Sequence, residues 1–222
     1  MGERQRNHEE VTHGREPAQI SKAAADSYAV DTRADQPTYM EVWVEKEALA
    51  GVLDRACTSL DVPWFCCRGY VSQSAMWEAS QRLIEAGRDG EREAVILYFG
   101  DHDPSGLDMP RDIEDRLEMF RVDQLEVIRV ALTMEQIEEF GPPPNPAKVT
   151  DSRFAGYCQI HGDESWELDA LEPRVIDDLI HQYVDRYTDD GIRTAIIHRQ
   201  ENERKQLLKV VSDFNAKQGD GS

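Results

Sequence analysis

Apolar residues recur along this chain with two periods, and the alternation of those periods predicts its elements. EVWV (41–44) is short, apolar and β-branched, as a buried strand requires. It runs into EKEALAGVLDRACTSL, where Leu49, Leu53, Ala56 and Leu60 fall at helical spacing. VPWFCC (62–67) predicts a second strand. SQSAMWEASQRLIEAG predicts a helix capped by Ser72, stopped by Gly87, with Met76, Ala79 and Leu83 on one face. AVILYF (94–99) is apolar on both faces, the pattern of a central strand in a parallel sheet. After GDHDPSG, a helix is expected to begin near Asp108, with Pro110 in its first turn and Ile113, Leu117 and Phe120 inward. EVIRVAL (126–132) is a fourth strand, and TMEQIEEF a short helix with Thr133 as cap.

That order predicts an α/β fold, a doubly wound, parallel four-stranded sheet flanked by helices. Two more helices are expected near 173–187 and 191–214, the first with Val175, Ile176, Leu179, Ile180, Tyr183 and Val184 inward. The polar start, 1–17, predicts a mobile tail, followed by a weak helix over 18–29. GPPPNPAKVTDSR (141–153) holds four prolines and predicts a long, stiff loop without regular structure. SWELDAL (165–171) fits an edge strand or an extended segment. The expected organisation is a tail with a short helix over 1–37, the α/β domain over 38–190, and a C-terminal helix with its tail over 191–222.

Composition narrows this picture. The 222 residues include 25 basic and 44 acidic side chains, a formal net charge of −19. Such acidity argues against a broad basic face that grips nucleic acid. No apolar run approaches the roughly eighteen residues of a membrane span, and no signal-peptide core is present, so a cytoplasmic protein with no membrane partner is expected. Cys57, Cys66, Cys67 and Cys158 do not suggest a disulfide scaffold. Neighbouring strand residues point to opposite faces, so Cys66 and Cys67 suit burial better than chelation.

Candidate chemistry lies where strands end in acids. Ligands of open α/β sheets bind beyond the carboxyl ends of the strands. EVWV leads to Glu45, and AVILYFG leads to Asp101 and Asp103. If the first and third strands are neighbours, these three carboxylates form a cup whose mutual repulsion a hard divalent cation, Mg²⁺ or Mn²⁺, would relieve. A lone DxD after a strand more often caps the next helix; the acid ending an earlier strand makes the set more specific. Arg68, Lys148 and Arg153 are candidate substrate-phosphate contacts, each with a structural ion pair or a packed loop as the alternative. Glu47, Glu167 and Asp169 fit structural roles better, and His102 points away from its flanking aspartates.

VEKEAL (44–49), CRGYVSQS (67–74) and FGDHDPSG (99–106) together resemble a Toprim domain, the metal-binding α/β module of topoisomerases, primases and some nucleases. The nearest resemblance is to the Toprim of type VI topoisomerase A subunits and to uncharacterised phage and actinobacterial proteins that also carry PPPNPAK, TDSR and WELDAL. It covers roughly residues 36–190. The resemblance implies a Rossmann-like fold, with Glu45 catalytic and Asp101 and Asp103 binding metal. It implies a Mg²⁺-dependent nuclease acting on DNA. The alternatives are a non-catalytic metal- or nucleotide-binding scaffold, or the Toprim half of a split topoisomerase. The forty residues ahead of EVWV are too few for the winged helix and tyrosine of those topoisomerases, so covalent strand passage is not expected. Weak intrinsic DNA binding is expected, with a winged-helix protein or a second copy as partner. A phosphatase-type acid cluster fits less well, because its DxD follows the N-terminal strand.

Overall fold

Four parallel strands, β1 (Thr38–Val44), β2 (Trp64–Cys66), β3 (Glu93–Phe99) and β4 (Leu125–Ala131), form one sheet in the order β2-β1-β3-β4. The computed structural model describes residues 17–67, 69–87 and 92–219. The tail expected at the N-terminus lies outside them up to residue 16, and so does Arg68.

Alternate side chains of the sheet feed two layers. Met40, Val42 and Val44 on β1, with Val95, Leu97 and Phe99 on β3, pack against α2 (Ala50–Ser59) and α7 (Pro173–Arg186). Trp43, Ile96 and Tyr98 face the other way, against α3 (Gln73–Ala86) and α4 (Pro104–Met119). Every strand residue from Ala94 to Phe99 is buried, as a central strand covered on both faces requires. The helical positions named from the sequence are those that pack: Leu49, Leu53, Ala56 and Leu60 on one side, Met76, Ala79, Leu83, Ile113 and Leu117 on the other.

One buried position breaks the apolar pattern. Glu41 on β1 is 1% exposed. Its carboxylate accepts from Arg82 Nε and Nη2 at 3.1 and 3.0 Å, from Trp43 Nε1 at 2.8 Å and from Tyr39 OH at 3.0 Å. Four donors saturate the charge that burial would otherwise penalise.

Helix ends follow their caps. The Ser72 side chain accepts from Ala75 N, and Thr133 forms a reciprocal box with Gln136 at the start of α5 (Met134–Phe140). α4 starts earlier than the sequence suggested. Asp103 caps it, Pro104 occupies its first turn, and Pro110 lies inside it. A proline there has no N–H for the carbonyl of Gly106, four residues back. Arg129 Nη1 on β4 supplies the missing donor to that oxygen.

The 141–153 segment is not wholly irregular, since β5 (Asn145–Pro146) pairs antiparallel with β6 (Glu164–Ser165). Between them lies α6 (Phe154–His161), which the sequence did not signal. The rest of SWELDAL is a strap over the sheet edge: Trp166 bridges His102, and Leu168–Ala170 makes a 3-10 turn.

The chain divides into two compact units. Gln36–Thr188 carries the sheet and its helices. The second unit contains α1 (Pro17–Asp26) and α8 (Asp190–Gly219). Within it, Tyr28 OH donates to Glu203, Val30 N to Gln200 Oε1 at 2.9 Å, and Arg204 Nη2 to Tyr28 O at 2.6 Å. Among the described residues, no helix is long and apolar enough to cross a membrane.

Candidate functional site

The chain leaves β1 toward β2 and leaves β3 toward β4, in opposite directions across the sheet. The gap between the carboxyl ends of β1 and β3 is thus the topological switch point, the position at which ligands of open α/β sheets bind. Val44 pairs with Phe99, so Glu45, the first residue after β1, stands opposite Gly100 and beside Asp101. The Glu45 N–H donates to Phe99 O at 2.9 Å, extending the ladder one residue past the strands.

Each of the three carboxylates has one oxygen fixed by a backbone N–H. Glu45 Oε2 accepts from Asp101 N at 3.2 Å and from Tyr98 OH at 3.2 Å. Asp101 Oδ1 accepts from Leu168 N at 2.8 Å. Asp103 Oδ1 accepts from Gly106 N at 2.7 Å and Ser105 Oγ at 2.9 Å. The second oxygens of the aspartates meet lysines: Asp101 Oδ2 lies 3.3 Å from Lys46 Nζ, and Asp103 Oδ2 lies 3.9 Å from Lys148 Nζ. The helix-capping role of Asp103 and its place in the acid cup therefore coexist on different oxygens.

Crowding of like charge is visible in the protonation tendencies. Burial raises the pKa of Glu45, and the Asp101 and Asp103 carboxylates raise it further. Burial also raises Asp101, outweighing the Leu168 N–H and Lys46, which act the other way. At Lys46 burial favours the neutral amine, yet Asp101 and Asp169 outweigh it and the pKa rises. His102, 2% exposed, is held neutral down to about pH 4 by burial and by the nearby Arg129 and His161. Its Nδ1 lies 3.0 Å from Tyr157 OH.

Lys46 decides what the cup contains. Its ammonium lies 3.4 Å from Glu167 Oε2 and 3.2 Å from Asp169 Oδ1, besides its contact with Asp101. The strap thus brings Glu167 and Asp169, expected to be structural, to the rim of the site. Among the described residues, no three His, Cys, Asp or Glu side chains stand where they could share one metal ion. The three carboxylates are the hard oxygen donors that Mg²⁺ prefers. Their side-chain arrangement, however, assigns the neutralising role at Asp101 to Lys46.

Of the three basic candidates, Lys148 is 78% exposed by its side chain and nearest Asp103. Arg153 is already paired, with Asp108 Oδ2 at 2.8 Å and Asp151 Oδ1 at 3.5 Å, and it lies over the Tyr70 ring at 5.3 Å. Arg68 lies outside the described residues.

Arg129 was not singled out from the sequence, although an arginine within the apolar stretch VIRVA was its signal. Its Nη2 donates to Asp101 O at 2.7 Å and to Leu132 O at 2.9 Å, and Nη1 to Gly106 O. One guanidinium therefore ties both ends of the acid loop to β4. Gly106 is required there, because a Cβ would come within 2.3 Å of Asp101 O. Gly100 is equally confined: a Cβ would meet the Tyr98 hydroxyl at 2.4 Å, the group that bonds Glu45. No family model, curated protein or solved structure matches the chain.

Proposed function

We propose that this chain is a Mg²⁺-dependent nuclease of the Toprim kind, hydrolysing DNA phosphodiester bonds with Glu45, Asp101 and Asp103. The observation that supports this reading is the convergence of three carboxylates at the sheet's switch point, each anchored through one oxygen by a backbone N–H. Anchored carboxylates hold their geometry without reorganisation during a reaction. Bound Mg²⁺ would polarise the phosphodiester and ease departure of the leaving oxygen. Glu45, whose pKa is raised by burial and then by Asp101, is suited to take up a proton and return it, while the hydrogen bond from Tyr98 orients its carboxylate and acts against that rise. Lys148 supplies an exposed positive charge beside Asp103 for the substrate phosphate.

The test is cleavage of single-stranded and duplex DNA with and without Mg²⁺, using Asp101→Asn as the control. The variant should lose activity while keeping its melting profile; undiminished nicking by it refutes the reading.

The Lys46 ammonium favours a second reading, a non-catalytic module whose acid cup is neutralised internally. Lys46→Met separates the two. It exposes the acids to solution cations, so calorimetric Mg²⁺ binding should strengthen in either case, but only a nuclease changes its cleavage rate.

A further inference from the structure

Beside the acid cup is a cleft of about 470 Å³ between the first turns of α4 and the body of α6. Pro104, directly after Asp103, and Leu107 form one wall; Tyr157 and Ile160 form the other. Ile160 is 78% exposed, an apolar side chain left facing solvent. The Asp108–Arg153 ion pair crosses the rim.

Gly156 lies on the α6 side of this cleft, in the interior of a helix. A glycine there is less favourable than alanine by the full difference in helix propensity. Nothing packs against it: a Cβ built at this position has no atom within 4 Å. No close backbone approach or positive φ requires glycine, so the consequence of its missing side chain is an open cleft.

We infer that this cleft seats one unstacked nucleobase of single-stranded DNA whose adjacent phosphate lies at the acid cup, which makes single strands the favoured substrate class. The inference rests on the nuclease reading and deepens it. Pro104 on the cleft wall directly follows Asp103, so the cleft adjoins the cup along the chain. Pro104, Leu107 and Ile160 give it apolar walls against which a base can pack, and the Asp108–Arg153 pair gives it a polar rim. A base in a duplex is paired and stacked and does not reach a side cleft without being extruded. A net charge of −19 also limits how far backbone phosphates can hold the strand, leaving base burial to supply affinity.

The experiment is fluorescence anisotropy in Mg²⁺ with labelled oligothymidylate and a series of the same strand carrying one abasic residue at each position. The wild-type chain should bind about tenfold more weakly when one particular base is missing. Gly156→Trp, which fills the cleft, and Ile160→Asp, at an exposed position with little packing to lose, should each remove that dependence while thermal melting stays cooperative. A flat abasic series, absence of single-strand binding, or base dependence that survives both variants overturns the cleft. Cleavage with a flat series leaves the nuclease reading standing without the cleft; base-dependent binding with no cleavage does the reverse.

Discussion

Replacing Arg129 by methionine tests whether one guanidinium sets the backbone of the acid loop. The side chain is half-buried and donates to three carbonyls, those of Asp101, Gly106 and Leu132. A charged hydrogen bond contributes about 1.5–3 kcal/mol, and an orphaned buried acceptor costs about 1–3 kcal/mol. Methionine keeps much of the stem packing and some carbonyls will find water, so the net loss is on the order of 4 kcal/mol rather than the full sum. For a domain of this size that lowers Tm by about 10 °C. Pro110 makes the test specific. Pro110→Ala restores the N–H that faces Gly106 O, which Arg129 now satisfies. In the Arg129→Met background, Pro110→Ala should therefore recover about 1–2 kcal/mol more than it does alone. Urea unfolding followed by the fluorescence of the four tryptophans measures all four corners of the cycle. Strict additivity would show that the two residues do not share the Gly106 carbonyl, and the account of the loop would fail.

Three further outcomes are expected. Arg82→Met strands the buried Glu41 carboxylate and should destabilise by about 3–5 kcal/mol in urea melts, while adding Glu41→Leu should return most of it; a double variant no better than the single contradicts the pairing. Burial, then Asp54 and Asp177, push the Cys57 thiol up to about 12, so the folded state holds a proton that the unfolded chain releases near pH 9. Its contribution is complete below pH 9 and lost as pH climbs toward 12, so Cys57→Ala should flatten the alkaline fall in stability, and an unchanged slope counts against it. Gly156→Ala should raise stability by about 0.5–1 kcal/mol in thermal melts, because its Cβ meets nothing; a decrease would reveal an unseen packing constraint.

Much of this molecule was legible where one residue type has one physical use. Short continuous apolar runs placed all four strands, and Ser72, Gly87 and Thr133 marked helix ends because their side chains or backbones do so locally. Glu45, Asp101 and Asp103 stood out because acids ending buried strands must meet at one sheet edge. Pro110 misled, since proline fits a first turn as well as it fits an interior position with an outside donor. FAGYCQIH concealed α6: it has apolar residues on every side, a central glycine, and no side-chain cap at Arg153. The partners of Lys46 could not be read at all. Glu167 and Asp169 reach it through the strap, and spacing along the chain carries no trace of that return.

The strap has a consequence in time as well as in space. Asp101 is oriented by the N–H of Leu168, 67 positions later, and Lys46 by Glu167 and Asp169. As the chain leaves the ribosome, the four strands are complete by Ala131, while the strap that finishes the acid cup and α7, which covers one face of the sheet, are still to come. Loop closure over that distance is slow compared with pairing of neighbouring elements. A chain that ends before Leu168 has all the acids of the cup but not the N–H that aims Asp101. Competence of the site therefore reports on the integrity of the chain through residue 169, far beyond the last strand that carries its acids.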